Sequence, residues 1–374
     1  MNLCDIHLVL FLSRATPLSK WERTGILERE LAIYQRLSAR LRSVSIVTSG
    51  GAEELHYQEL LGEIRLLYNR WGLSPNAYSL LAPILHGPAL RQASVYKSNQ
   101  LDGAWTAVIA GAIHRRPVIV RAGYLWAELI RQEGKSRLRA ALTSRLQAFS
   151  LRSAQTIFLT TEAMRQSVAG NYAIAASKIK VIPNYVDCQV FRPLPEVTSQ
   201  EERICYVGRL EPVKNLDVLI EALAGLPGIS LVLIGEGQQR PELERLAQAR
   251  QVDVQFQGAL PQAQIPLEIN RSQVFVLPSK SEGHPKALIE AMACGAAVIG
   301  TEATGIRELI RHGETGWLCQ PEPGSLRQAT QQVLADPGLR RRLGDNARQY
   351  ILEHFALEKV VEMELQAILE ACAR

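Results

Sequence analysis

The sequence predicts an α/β protein made of two doubly wound parallel sheets. Three observations predict it. Short apolar runs alternate with longer amphipathic stretches, the pattern of parallel strands covered by helices on both faces. The alternation occurs twice, and the 374 residues exceed what one core usually organises. Residues 191–202, Phe-Arg-Pro-Leu-Pro-Glu-Val-Thr-Ser-Gln-Glu-Glu, carry two prolines and end polar, which suits a linker. The expected domains are therefore residues 1–193 and 194–350, followed by a helical segment at 351–374. Open parallel sheets take ligands at the carboxyl ends of their strands. Two such domains facing across a cleft would suit a two-substrate reaction.

Element by element, apolar runs in the first half place strands at residues 6–12, 44–48, 93–96, 118–121, 156–159 and 179–182, with helices at 23–41 and 102–113. In the second half the strands fall at 204–207, 231–234, 254–256, 274–277 and 297–299, and the helices at 216–223, 241–249, 285–293 and 325–335. Residues 346–373 are helix-rich and apolar on one face.

Composition is that of a globular protein, with 47% hydrophobic and 21% charged residues and a mean hydropathy near zero. No apolar run reaches the roughly 18 residues that span a bilayer. Asp5 and His7 interrupt the apolar start, which reads as a buried strand and not as a signal peptide. Six cysteines without a C-x-x-C pair read as buried, reduced thiols of a cytosolic protein. Residues 1–193 hold 24 basic and 13 acidic side chains, a net of +11, which leaves 18 and 24, a net of −6, for the remainder. A basic half implies an anionic partner. No nucleic-acid motif with interleaved aromatics accompanies the charge, so an anionic membrane surface or acceptor fits better than nucleic acid. Residues 127–153 present Arg131, Lys135, Arg137, Arg139, Arg145 and Arg152 among apolar side chains. They read either as a helix lying on an anionic membrane or as a core helix with a solvated face.

Four C-terminal segments carry the candidate chemistry. In Tyr206-Val-Gly-Arg-Leu-Glu-Pro-Val-Lys-Asn215 a strand ends, Gly208 permits a turn, and Arg209 and Lys214 flank a loop before a helix. Two such cations suit a diphosphate leaving group, and equally suit solvated positions beside Glu211. In Leu233-Ile-Gly-Glu-Gly-Gln238 the Gly235 and Gly237 pair reads as a turn or a close ligand approach, and Arg240 stands where a dinucleotide fingerprint needs glycine. In the run from Pro278 to Gly295, Glu282 and Gly283 lie in a loop and Pro285 opens a helix. The amides of Lys286, Ala287 and Leu288 then form a phosphate-binding N-terminus, with His284 beside it. Glu290, inside that helix among Ile289, Ala291 and Met292, suits either a ribose ligand or a structural network. The fourth, Thr301 to Glu308, ends a strand in a loop whose Thr304 and Gly305 amides reach the same phosphates or form a bare turn.

Together these segments resemble the C-terminal domain of the retaining GT-B glycosyltransferases of family 4. The matching text is Val181-Ile-Pro-Asn-Tyr-Val-Asp187 with Phe191-Arg-Pro193, Val207-Gly-Arg209 with Lys214-Asn215, and Gly235-Glu-Gly237. It continues through Glu282-Gly-His-Pro-Lys286 to Glu290-Ala-Met-Ala-Cys-Gly295, in E-x7-E spacing, and His312-Gly-Glu-Thr-Gly316. The resemblance implies that Arg209 and Lys214 neutralise the donor diphosphate and Glu290 holds the ribose. It also implies that Glu282 stands beside the donor sugar in a pocket lined by Gly283, His284 and Pro285. It implies front-face transfer with retention, a nucleotide sugar as donor, no cofactor and no metal. No D-x-D triplet stands in the chain to hold one. The last helix is expected to return to the N-terminal domain.

The N-terminal half departs from that pattern. The family's Gly-Gly loop is replaced by residues 13–25, with Gly25 the one glycine, read as a phosphate approach at the start of the 23–41 helix or as a helix turn. The family often places a histidine after the strand at 118–121, where this chain reads Arg121-Ala-Gly-Tyr-Leu-Trp126. Arg121 and Tyr124 are the nearest polar groups, and His86 and His114 read as structural. Lys97 and Asn99, after the strand at 93–96, are acceptor candidates or a polar helix cap. The expected function is transfer of a sugar to a glycan, lipid-linked or small-molecule acceptor by a cytoplasmic protein, peripheral on the inner face of a membrane. A catalytically weak nucleotide-binding protein of the same fold, or a sugar-nucleotide epimerase of that shape, is the alternative.

Overall fold

A computed structural model describes residues 2–125 and 137–373, and the side chains of all of these but 137–140. The chain forms two compact units, residues 1–183 with 360–374, and residues 184–359. The boundary lies ten residues before the expected one at 193/194, since Val186 bridges Ala356 and Phe191 is buried in the second unit's core. Val360–Arg374, the greater part of the helix Leu357–Ala373, packs with the first unit.

Among the described residues of the first unit, the strands are β1 (His7–Phe11), β2 (Ser43–Val47), β3 (Arg65–Leu67), β4 (Val95–Ser98), β5 (Val118–Ala122), β6 (Thr156–Leu159) and β7 (Ile179–Val181). They make a parallel sheet in the order β3-β2-β1-β4-β5-β6-β7. In the second unit β8 (Arg203–Val207), β9 (Ser230–Ile234), β10 (Asp253–Gly258), β11 (Val274–Leu277), β12 (Ala297–Thr301) and β13 (Trp317–Cys319) follow the order β10-β9-β8-β11-β12-β13. Both are doubly wound Rossmann-like sheets, with strand order reversing at β1/β4 and at β8/β11. The central strands β1, β5, β8, β11 and β12 are buried along their whole length, which is why they read as mainly apolar runs. Helices supply the other side of each core. Leu216–Leu223, for one, buries Leu216, Leu219, Ile220 and Leu223 at helical spacing, each worth about 1.5–3 kcal/mol over exposure.

Two differences from the expected elements have local causes. The helix expected over 23–41 is shorter, Leu27–Ser38, and a separate helix, Leu18–Arg23, precedes it. Gly25 sits in the break at φ +68, so it does not open a long helix. The helix Arg137–Ser153 is present, and Arg131 and Lys135 lie outside the described residues.

The first unit also contains an acid-sensitive contact. His86 is buried, with its Nε2 2.8 Å from the Tyr78 hydroxyl. Burial first, then Arg70 and Arg65, push the imidazole from 6.5 down to about 4. The unfolded chain therefore binds a proton that the folded chain refuses between those two values. Stability is full above the upper value and is lost as pH falls toward the lower, by up to about 3 kcal/mol. Melting of His86→Gln across that interval is expected to show a flatter acid limb than wild type. An unchanged slope would locate the acid sensitivity elsewhere.

Candidate donor site in the second unit

The site grows from the ends of three strands. The paired residues of β8 and β11 stop at Cys205 and Phe275, two short of either strand's end, so the strands part where the order reverses. β8 delivers the loop from Gly208 to Asn215, where Pro212–Lys214 forms one 3-10 turn and a buried Asn215 at φ +58 starts the next helix. β11 delivers the loop from Pro278 to Pro285. The two loops are tied by the Lys280 amide, which donates to the Val213 carbonyl at 2.9 Å.

This brings Lys214 and Glu282, 68 residues apart, into a half-buried ion pair with Nζ 2.5 Å from Oε1. Ser279 donates its hydroxyl to the same carboxylate oxygen at 2.7 Å, and Thr301 at the end of β12 donates to the Ser279 carbonyl at 2.5 Å. Glu282 is thus oriented from two sides. Arg209 lies on the same loop but is exposed, with its guanidinium 2.7 Å from Glu211. The buried Tyr206 hydroxyl donates to the Arg209 carbonyl at 3.0 Å. Burial, then the Glu282 charge, raises that phenol, which keeps it a neutral donor.

The helix beyond Glu282 runs Lys286–Ala293, with Pro285 as N-cap and not as first helical residue. Pro285 offers no side-chain cap, so the amides of Lys286, Ala287 and Leu288 make a first turn suited to an anion. Glu290 is buried in the second turn. His284 is buried beside Phe355, ring centroids 5.4 Å apart, and its carbonyl accepts from Asn184 Nδ2 at 2.7 Å. Lys286 lies 5.6 Å over the Tyr185 ring. The Asn184-Tyr185 pair therefore braces the helix start from within the second unit.

Two glycine positions are explained by backbone contact. A Cβ on Gly305 would lie 2.0 Å from the Gly283 carbonyl oxygen, and the Gly305 amide donates to the Glu282 carbonyl at 3.3 Å. Thr304, its exposed neighbour, opens the four-residue helix Thr304–Arg307. Gly305→Ala is expected to push the Glu282 loop away and cost about 1–3 kcal/mol. A thermal melt matching wild type would contradict the contact. Gly235, at φ +136, would place a Cβ 1.9 Å from the Gly208 carbonyl oxygen, so this pair of loops packs on itself.

The first unit treats the other candidates differently. Lys97 lies inside β4, fully buried, with Nζ 2.5 Å from Glu364 Oε2. Arg121 is buried and reaches the other oxygen of Glu364 at 3.1 Å. Both are committed to holding the last helix, which takes them out of the acceptor set. Asn99 is buried, its Oδ1 accepting from Tyr34 at 3.4 Å. Tyr124 is exposed. His114 bonds the Pro83 carbonyl at 2.9 Å, a structural tie like that of His86. Ser279 and Asn184 were not singled out from sequence. Asn184 lay within a matching segment and Ser279 in the run from Pro278 to Gly295, but hydroxyl and amide side chains carry no period or charge to mark them.

Comparison with known families decides the identity. Residues 31–190 match the model of Glycosyltransferase Family 4, and residues 191–350 match that of Glycosyl transferases group 1. The chain belongs to the family 4 GT-B glycosyltransferases. It is 29% identical over 196 residues to the N-acetyl-alpha-D-glucosaminyl L-malate synthase of Bacillus anthracis, a match covering 49% of this chain and 51% of that protein. It is 28% identical over 235 residues to a glycogen synthase of Mycobacterium tuberculosis, covering 60% and 56%. This glycosyltransferase thus spans about half the length of these relatives. Its fold is that of HepE from Anabaena, solved in complex with UDP and glucose, at TM-score 0.78 and 20% identity over 97% of this chain and 99% of that one. Sucrose-phosphate synthase from Thermosynechococcus elongatus superposes at TM-score 0.79 and 20% identity, covering 98% and 99%.

Proposed function

We propose that the protein is a retaining glycosyltransferase that takes a nucleoside diphosphate sugar as donor. Its acceptor is a glycan, a lipid-linked sugar or a small molecule, in the synthesis of cell-surface polysaccharide or glycoconjugate. The observation that carries this reading is the Lys214–Glu282 pair at the β8/β11 reversal, beside the uncapped start of Lys286–Ala293. UDP and glucose bound to HepE support a donor of this class.

In the proposed reaction the acceptor oxygen attacks the anomeric carbon from the face the diphosphate leaves. The bond between that carbon and the diphosphate oxygen breaks, and the acceptor proton passes to the departing phosphate. Lys214, Arg209 released from Glu211, and the amides of 286–288 meet the growing negative charge, the role that a metal plays elsewhere. Glu290 holds the ribose, and Glu282, fixed by Lys214 and Ser279, borders the donor sugar. Asn99 and Tyr124 are the retained polar candidates on the acceptor side. The same reading puts the protein in the cytoplasm, attached peripherally to the inner face of a membrane. The weak nucleotide-binding alternative draws on one observation, the lack of a histidine after β5.

A thermal-shift panel of nucleotide sugars, run in EDTA, tests the proposal. One donor is expected to raise the melting temperature above the others, and the shift is expected to persist without metal. No shift with any donor would overturn the reading, and loss of the shift in EDTA would overturn its metal-free form.

A further inference from the structure

The helices on one side of the first unit's sheet present an outward face that a water-exposed layer does not ordinarily carry. Pro75–Leu85, Ala104–His114 and Arg137–Ser153 lie side by side, and His114 Nε2 joins the first two at the Pro83 carbonyl, 2.9 Å away. Each buries one flank in the core through Tyr78 and Ala82, Ala107 and Val108, or Leu151. The flank turned away from the core is also apolar. On the first helix Leu80, Leu81 and Ile84 are 56%, 38% and 65% exposed. On the second Ile113 is 48% exposed, in line at helical spacing with the half-buried Trp105 and Ile109. On the third Leu142 and Phe149 are 67% and 47% exposed. Large contiguous apolar patches are uncommon on soluble surfaces and mark contact with another apolar phase.

Charge decides which phase. None of the three helices contains an Asp or Glu. Between Leu73 and Thr161 the sequence holds eleven Lys and Arg against three acids, Asp102, Glu128 and Glu133. Lys97 and Arg121 of the eleven are buried on Glu364, whereas Arg91, Arg115, Arg116, Arg145 and Arg152 are exposed. Arg116 donates to the Arg91 carbonyl at 2.9 Å, which sets Arg91, the C-cap of the short helix Gly87–Leu90, beside the carboxyl end of the second helix. Leucine, isoleucine, tryptophan and phenylalanine on helices that carry no acid, with exposed arginines on or next to them, fit a lipid interface with anionic headgroups. No helix among the described residues is long and apolar enough to cross a membrane.

We propose that this three-helix layer is the membrane-docking face of the protein and that its partner is an anionic lipid surface. The proposal deepens the peripheral attachment inferred above by naming its surface. Vesicle binding needs no donor, so its failure leaves the transferase reading standing.

The test is co-sedimentation of the full chain with phosphatidylcholine vesicles, with and without phosphatidylglycerol. Binding is expected only to the anionic vesicles and is expected to weaken as salt is raised. The double variant Leu80→Glu with Ile84→Glu is expected to lose binding by at least about ten-fold while melting like wild type, both residues being exposed. Arg115→Glu with Arg116→Glu is expected to weaken it by roughly five-fold per arginine. Leu55→Glu, an equally exposed leucine of the 52–57 turn, serves as the control and is expected to bind as wild type does. Wild-type protein that ignores anionic vesicles, or binding that survives both double variants, would overturn the proposal. So would a wild-type dimer in gel filtration that the leucine–isoleucine variant dissociates, which would assign the face to a second copy of the chain.

Discussion

Lys214→Ala is expected to lower kcat/KM by about three orders of magnitude, some 4 kcal/mol of transition-state stabilisation. The ammonium is half-buried at the reversal point of the sheet and already neutralises one carboxylate, Glu282. A diphosphate arriving there brings more negative charge than Glu282, and that charge grows on the leaving oxygen as the sugar bond breaks. Removing the ammonium therefore removes an interaction that strengthens along the reaction. It also leaves Glu282 with the Ser279 hydroxyl as its remaining donor among the contacts described above. The effect should fall mainly on kcat. Glu282→Gln, which keeps the shape but not the charge, separates the two roles. A loss confined to KM in Lys214→Ala would mean that the cation binds ground state and transition state alike. Arg209→Ala is expected to act in the same direction. Its guanidinium starts exposed on Glu211, so part of its contribution goes to breaking that pair.

The second large effect lies far from the chemistry. Glu364→Gln is expected to destabilise the first unit by about 3–5 kcal/mol, because it leaves Lys97 and Arg121 buried without their shared counter-charge. For a unit of this size that corresponds to a fall in melting temperature of roughly 10 °C. Burial, with the Arg121 charge adding to it, lowers the Lys97 ammonium to about 8 even with Glu364 opposing the shift. With the carboxylate gone, the ammonium loses the attraction that keeps it charged and is left over the faces of Tyr34, at 4.9 Å, and Phe158, at 5.7 Å. Adding Lys97→Met to Glu364→Gln is expected to recover part of the loss, since one of the two cations that share Glu364 is then removed. Strict additivity of the two losses in thermal melts would contradict the coupling.

The contrast between these two clusters shows what the sequence made legible. Parallel strands buried on both faces leave unbroken apolar runs, so β6 and β11 could be read to the residue. Two of the edge strands leave no such mark. β3 and β13, three residues each, escaped because Arg65-Leu-Leu and Trp317-Leu-Cys are too short to show a period. The expected 23–41 helix was continuous in its apolar pattern, and it starts only at Leu27, after one glycine at positive φ. At the site, the charged and glycine positions were legible because motif spacing survives in one dimension. Their partners were not. Lys97 looks the same in sequence whether it faces an acceptor or a buried glutamate 267 residues away, and the tertiary pairing decides which. Glu364 itself lies in an apolar helix face, where periodicity registers only an interruption.

The central claim is that a nucleoside diphosphate sits on Lys214, Glu290 and the 286–288 amides. Calorimetric titration with the nucleoside diphosphate chosen by the donor panel tests it most directly. Wild type is expected to bind one equivalent per chain in EDTA, and Lys214→Ala and Glu290→Gln each to weaken binding by at least about ten-fold while melting as cooperatively as wild type. Equal affinity in all three proteins would contradict the account.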